Sequence, residues 1–328
     1  MTTKTTTNGN DGITLSVVIP NYNEATCLEE LLRRLRKTFA GIRMDTYEII
    51  FVDDGSHDHS RNLLRKLCVE DTRIRLLCLS RNFGHQLAIT AGLDHSRGNA
   101  VLVMDADLQD PPEAIPDFLS KWQEGYDVVY GVRLSRSGES WFKKGTASAF
   151  YRLLRLLTQT QIAVDAGDFR LLSRRALDTL NRLRERSRFM RGMVSWIGYP
   201  QAPVYYHRDA RWAGETRYSV HRMLKLALDA ILSFSDLPLR MATWIGFAGI
   251  GLCLTYLTYA VTVKVLLGTP VQGWASLVAI IALIGSLQLM MLGVMGQYIG
   301  RIYEELKQRP LYVVMERVGF GDDPPLPQ

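Results

Sequence analysis

The chain has 328 residues, 47% of them in the hydrophobic set and 22% charged, which excludes both a mini-protein held by staples and a disordered chain. Its formal net charge of +6, from 39 Lys+Arg against 33 Asp+Glu, would suit nucleic acid, anionic lipid or a phosphorylated substrate, so the position of the charges has to decide. The 4 cysteines, Cys27, Cys68, Cys78 and Cys253, lie far apart in no CxxC-like spacing, which disfavours zinc and a disulfide framework and fits a reducing cytoplasmic face.

In chain order, residues 1–12 are polar with no apolar stretch, as expected of a flexible tail and not of a cleaved signal. Residues 13–218 read as an α/β domain. From Leu15 to about Tyr130 short β-rich runs alternate with longer helical patterns, the signature of βαβ units on a mostly parallel, Rossmann-like sheet. The expected strands are Leu15 to Pro20, Tyr47 to Asp53, Ile74 to Ser80, Ala100 to Asp105 and Asp127 to Gly131, all continuous apolar runs suited to burial on both faces. Helical patterns fill the gaps after Asn23, Gly55 and Gly84. Between Arg133 and Tyr218 the pattern is less regular, with a basic loop (Arg133, Arg136, Lys143, Lys144), two or three helices and an arginine-rich stretch from Arg182 to Arg191 that would hold the domain against anionic lipid.

Residues 219–239 contain an amphipathic pattern, with Val220, Met223, Leu224, Ala227, Leu228 and Ile231 on one face and Arg222, Lys225 and Asp229 on the other. Packing on the sheet would produce the same pattern. Its place just before a long apolar run favours an interfacial helix. Within 240–300 no residue from Met241 to Val263 or from Val265 to Gly300 is charged, and Lys264 alone separates two runs long enough to span a bilayer. Arg222, Lys225 and Arg240 precede the first run and Arg301, Lys307 and Arg309 follow the second, so the positive-inside rule puts both ends in the cytoplasm, with residues 301–328 as a cytoplasmic tail. Gly296 and Gly300 form a GxxxG pair that would suit a helix contact or a homo-oligomer seam.

Ligands of such sheets bind beyond the carboxyl ends of the strands. There the segment Met104 to Glu113, MDADLQDPPE, carries Asp105 and Asp107, which an extended backbone would turn to one side together with Gln109. Converging carboxylates call for a cation or a shared proton, and hard oxygen ligands suit Mg²⁺ or Mn²⁺ bridging a diphosphate; a solvated turn with a capping Asp is the alternative. Asp53 and Asp54, at the end of the second strand, are adjacent and would face opposite ways. They suit either hydrogen bonds to a nucleoside or a turn that caps the next helix. Asn23 and Glu24 stand at the end of the first strand, with helix capping as their alternative role. No GxGxxG and no GxxxxGK[ST] follows a strand, which removes the main support for a dinucleotide oxidoreductase or a P-loop NTPase. His57, His59 and His85 have no metal-ligand spacing and read as structural or solvated.

The motifs VVIPNYNE, FVDDGS, LSRNFGHQLA and DADLQDPPE, in this order, resemble the nucleotide-sugar glycosyltransferases of family 2, which have the GT-A fold. The segments VDAGDFRLLSRRAL, RFMRGMVSWIGY and RWAGETRYS, followed by two apolar runs, resemble more narrowly the bacterial polyisoprenyl-phosphate glycosyltransferases, relatives of dolichol-phosphate mannose synthase and nearest to the bactoprenol glucosyltransferases. The resemblance covers about Leu15 to Gln308. It implies an inverting, metal-dependent transfer of a sugar from a nucleotide sugar, UDP-glucose first and GDP-mannose or another UDP-sugar next, to a polyprenyl phosphate such as undecaprenyl phosphate at the cytoplasmic membrane. Carried onto this sequence, it implies donor contacts from Pro20, Tyr22, Glu24, Asp53, Asp54 and Arg133, with Asp105, Asp107 and Gln109 around Mg²⁺ or Mn²⁺. It also implies Asp107 and Asp168 in catalysis, Asp168 beside the reacting carbon, and Arg191, Arg211 and Arg217 on the acceptor phosphate. For Asp168 the bland alternative is an ion pair with a neighbour such as Arg170.

Three rivals are weaker. A processive polysaccharide synthase would carry QxxRW and more spans, and neither is in the sequence. A silent nucleotide-binding scaffold has no need of Asp105, Asp107 and Asp168 together. Nucleic-acid binding is disfavoured because the arginines crowd toward the half of the chain that precedes the apolar runs.

Overall fold

A computed structural model of the chain describes residues 14–42, 46–134, 166–186, 188–207, 237–267 and 273–321. The expected basic loop residues Arg136, Lys143 and Lys144, the amphipathic pattern from Val220 to Phe234, the N-terminal tail, Arg211 and Arg217 lie outside them. By its internal contacts the chain divides into two units, one containing the sheet and including Arg309–Gln328, the other containing Val220–Gln308.

The first unit begins with the βαβ alternation read from the sequence. It runs β1 (Leu15–Asn21), α1 (Ala25–Gly41), β2 (Tyr47–Asp53), α2 (Ser60–Glu70), β3 (Ile74–Leu79), α3 (His85–Asp94), β4 (Ala100–Val103), a 3₁₀ turn (Pro112–Ala114), α4 (Ile115–Gln123) and β5 (Val128–Arg133). Then follow β6 (Ala166–Ser173), α5 (Arg174–Arg182), α6 (Met190–Trp196) and β7 (Gln201–Tyr206). The sheet has 8 strands in the order β7-β5-β6-β4-β1-β2-β3-β8, where β8 is Val314–Val318. Strands β1 to β4 are parallel, β5 and β7 run with them, and β6 and β8 run against them. The expected α/β domain with a mostly parallel sheet is therefore present.

Side-chain alternation divides the core. Ile49, Phe51, Leu76 and Cys78 face one way, into a cluster with Leu28, Leu31 and Leu35 of α1, Leu64 of α2 and Phe118 of α4. Ile50, Val52, Leu77 and Leu79 face the other way, into a smaller cluster with Ala88 and Ala91 of α3. Helices thus cover both faces, and β1 lies between β2 on one side and β4 on the other. The chain steps outward through β2 and β3, then returns across α3 to β4. The crevice that opens at the carboxyl edge between β1 and β4 is the place where such sheets hold ligands.

Two expectations change in the C-terminal part. Residues 301–328 were expected to form a tail, but Val314–Val318 pairs antiparallel with β3, and Tyr312, Val314 and Phe320 pack against the smaller core cluster. Strand β3 would otherwise be an exposed edge, and covering it protects its unpaired backbone groups. Lys264, expected in the loop between the apolar runs, falls inside α7 (Leu237–Leu267), and the next helix is α8 (Trp274–Leu306). Within these helices Trp244–Val263 and Leu283–Leu306 are long and apolar enough to cross a membrane, and among the described residues none of either stretch is buried inside the chain.

Candidate functional site

The three parallel strand ends are fastened together by short polar links. After β1 the backbone turns at Asn23, whose φ of 58° is left-handed, and Asn23 Oδ1 accepts from the backbone N–H of His57 at 2.8 Å. Ser56 Oγ accepts from Asn23 N–H at 3.0 Å, so the turns after β1 and β2 are one unit. Glu24 makes no cap to α1; that end receives Asp58 Oδ2, which accepts from Ala25 N–H at 3.1 Å. Pro20 is buried within β1, while Tyr22 is half exposed at the edge with its ring edge-on to His57.

Asp53 and Asp54 both turn out to be engaged inside the protein. Asp53 is fully buried, accepts from Asn21 Nδ2 at 3.3 Å and forms an ion pair with Arg61 at 2.8 Å. Asp54 accepts from Phe83 N–H at 2.7 Å and Gly84 N–H at 2.9 Å, one with each carboxylate oxygen. Burial nevertheless raises the Asp54 pKa above the usual carboxylate value, against these two bonds. Gly55, at φ 71°, lies so close that a side chain there would meet the Arg81 backbone at 2.7 Å. FVDDGS and SRNFGHQ therefore form one structure, in which Asp54 holds the backbone just ahead of α3.

The DADLQD segment is a turn, not an extension of β4, because β4 ends at Val103 and Leu108 takes a φ of 62°. Strand alternation therefore does not set Asp105 and Asp107 to one side. Instead the turn closes on its own carboxylates: Asp107 Oδ1 accepts from Gln109 N–H at 3.2 Å, and Asp110 Oδ2 accepts from Asp105 N–H at 3.5 Å. Tyr206 of β7 donates to Asp110 Oδ1 at 2.8 Å, and Arg133 Nε donates to the Tyr206 hydroxyl at 3.3 Å. Asp105 Oδ1 is buried without a hydrogen-bond partner. Loss of hydration and the negative charges of Asp110, Asp168 and Asp107 push its carboxyl up to about 7, against the opposing pull of His85.

Asp168 reaches the same edge from the opposite direction. Antiparallel β6 sets Arg170 beside Val103, so Asp168, two residues earlier, lies where β4 has run out. His85 Nε2 is 3.2 Å from Asp168 Oδ2, Gln86 Nε2 donates to that oxygen at 3.3 Å, and Arg191 Nε donates to Oδ1 at 3.1 Å. Arg170, expected as its alternative partner, is farther off at 3.9 Å. Burial alone would raise the Asp168 pKa, but the His85 hydrogen bond and the charges of Arg191 and Arg170 hold it far below the carboxylate range. Partial loss of hydration would lower the His85 pKa, but the hydrogen bond to Asp168 and the charges of Asp105 and Asp168 lift it to about 8.

His85 also stands 3.6 Å from Asp105 Oδ1, between the two carboxylates. It was read from sequence as structural or solvated because it had no metal-ligand spacing. The overlooked signal is its position: it opens the helix after β3, on the same edge as the acids. Gln86, Asp110 and Tyr206 were likewise missed. Within the arginine-rich stretch only Arg188 is buried, while Arg182 and Arg184 are exposed. Arg184 pairs with Asp94 at 2.8 Å, Arg188 is buried and Arg191 holds Asp168. Arg184 and Arg191 are thus met by carboxylates, and Arg188 donates to the Leu183 carbonyl.

Among the described residues, no group of three or more His, Cys, Asp and Glu side chains is arranged to hold a metal ion. A site that shares its cation with a ligand needs less. The Asp105 oxygen that makes no hydrogen bond, on a carboxyl raised to about 7 by loss of hydration and the neighbouring carboxylates, fits a hard divalent cation shared with a diphosphate.

The family model described as glycosyl transferase family 2 matches residues 16–180. An uncharacterized glycosyltransferase of Bacillus subtilis (strain 168), YkcC, is 47% identical over 94% of this chain and 95% of its own. A bactoprenol glucosyl transferase derived from the SfII prophage in Shigella flexneri is 39% identical over 92% of this chain and 97% of its own. A prophage bactoprenol glucosyl transferase homolog of Escherichia coli (strain K12) is 37% identical over 92% of this chain and 98% of its own.

Proposed function

Since the chain belongs to glycosyl transferase family 2 and is a glycosyltransferase, we propose that it moves a sugar from a nucleotide sugar, UDP-glucose before others, onto a polyprenyl phosphate at a membrane surface. The observation that carries this reading is the recess at the switch point, where Asp105, with one buried oxygen free of hydrogen bonds, and Asp168, held by three side chains, stand on either side of His85. The apolar helices α7 and α8 and the bactoprenol enzymes among the relatives support a lipid acceptor. The chain leaves the sheet unit before α7 and re-enters it after α8, so a hairpin that spans the bilayer would have both ends on one side, in keeping with a cytoplasmic catalytic domain.

The reaction breaks the bond between the anomeric carbon and the diphosphate and makes one to an oxygen of the lipid phosphate. Positive charge grows on the sugar and negative charge on the leaving group. Mg²⁺ or Mn²⁺, held by Asp105 and Asp107 with Gln109 beside them, would supply Lewis-acid stabilisation of that leaving charge. Arg133, supported by Tyr206 and facing Asp110, adds a fixed cation on the same edge. A phosphate monoester has a second pKa of about 6 and arrives largely ionised, so no strong base is required. Asp168 suits that chemistry: with its pKa so far depressed it is a poor proton acceptor and a stable anion facing the developing positive charge. Asp53 and Asp54 order the donor side mainly through the loops they hold, with Tyr22 and Glu24 at its rim; Arg191, Arg211 and Arg217 are assigned to the acceptor phosphate. Direct displacement inverts the anomeric centre.

The test is transfer by the purified, detergent-solubilised protein with undecaprenyl phosphate, a divalent metal and a panel of labelled UDP- and GDP-sugars. Label in the lipid from one donor, lost with chelator and in Asp107→Asn, is expected. Nucleotide binding with no lipid label from any donor would return the weight to a silent scaffold or another acceptor.

A further inference from the structure

We infer that His85 and Gln86, the first two residues of α3, are positioning residues for the transfer, an inference that rests on the proposed role of Asp168. Three observations meet at these side chains. First, the Gln86 amide bridges two elements: Nε2 donates to Asp168 Oδ2 at 3.3 Å, and Oε1 accepts from Met190 N–H at 3.2 Å. Met190 opens α6, and the next residue, Arg191, donates to the other oxygen of Asp168. One neutral amide thus sets both the carboxylate and the helix start that carries its arginine. Second, His85 Nε2 lies between Asp168 Oδ2 at 3.2 Å and Asp105 Oδ1 at 3.6 Å, linking the leaving-group side of the recess to the reacting-carbon side. Third, both residues are held from behind, because Asp54 grips the N–H groups of Phe83 and Gly84 and Gly84 takes a φ of 100° as α3 begins.

The arrangement is preorganised. Asp168 is fixed by three side chains from two helices, and a charge fixed before the reaction does not have to reorient during it. Loss of one hydrogen bond to an ionised group is expected to cost about tenfold to a hundredfold in turnover. Because His85 and Gln86 act through Asp168, the loss belongs in kcat and not in the donor KM.

The experiment compares wild type with His85→Ala, His85→Gln, Gln86→Ala and Gln86→Glu by lipid-label kinetics, with thermal melting of each purified protein alongside. His85→Gln can return an amide N–H near the place of Nε2, and Gln86→Glu keeps the shape while setting a second carboxylate against Asp168. Expected are kcat losses of about tenfold to a hundredfold for both alanine variants with donor KM within about threefold, recovery to within about fivefold in His85→Gln, and a larger loss in Gln86→Glu than in Gln86→Ala. If an alanine variant fails to fold, the two near-isosteric variants carry the comparison. Alanine variants with wild-type turnover, a loss confined to KM, or Gln86→Glu no worse than Gln86→Ala would overturn the inference while leaving the proposed reaction standing. A wild-type protein that labels no lipid would take the inference down together with that reaction.

Discussion

Replacing Asp54 by alanine should unseat the start of α3 and destabilise the sheet unit whether or not a nucleotide is bound. The carboxylate is 3% exposed and accepts two backbone N–H groups at 2.7 and 2.9 Å. Hydrogen bonds to a charged group contribute about 1.5–3 kcal/mol each. Phe83 and Gly84 are only half-buried, so water entering the vacated space recovers part of the loss, and a net cost of about 2–4 kcal/mol is expected. For a domain of this size that lowers Tm by on the order of 5–15 °C. Asp54→Asn, which keeps one acceptor, should fall about midway. The assay is thermal melting of the purified protein with and without UDP, beside donor KM. An Asp54→Ala protein that melts with wild type and loses only donor affinity would make Asp54 a direct ligand and not a support for α3.

Asp168→Asn should keep its fold and lose on the order of a hundredfold to a thousandfold in kcat, measured as lipid label per time, because the fixed anion is gone; near-full turnover would remove Asp168 from the mechanism. His85 has its pKa raised from 6.5 unfolded to about 8 folded, so the stabilisation it provides is complete below about 6.5 and is lost as pH rises through about 8. Melting curves in chelator should therefore show the advantage of wild type over His85→Gln shrinking between those values. At the C-terminal edge, Tyr312 donates to Asp94 Oδ2 at 2.8 Å and Glu316 pairs with Arg65 at 2.6 Å. Tyr312→Phe should cost about 1–2 kcal/mol in chemical or thermal unfolding, and ending the chain at Gln308 should cost more, because it uncovers β3 and part of the core.

The strands β1 to β5 were legible because each is a continuous apolar run, the mark of a strand covered on both faces. Strands β6, β7 and β8 were not. The apolar pattern of β6 is broken by Asp168 and Arg170, which belong to the site. β7 contains Pro203, tolerated because that strand is at the edge. β8 is short, bears Glu316 and Arg317, and finds its partner β3 across more than 200 residues and two apolar helices. The site divides in the same way. Asp105, Asp107 and Asp168 announce themselves as acids at strand ends or in a recognised motif. The work of Asp54 depends on N–H groups 29 and 30 residues further on, and that of Gln86 on a backbone group 104 residues away, so no local pattern reveals either. Spacing also misled over His85, since a residue that orients two carboxylates needs no ligand spacing.

The most direct test of glycosyl transfer to a lipid phosphate is the mass and anomeric configuration of the lipid formed by the wild-type protein from undecaprenyl phosphate, UDP-glucose and Mg²⁺. A single hexose joined to the lipid phosphate in the β configuration is expected. An α-linked sugar, or free glucose released while the lipid stays unchanged, would contradict it.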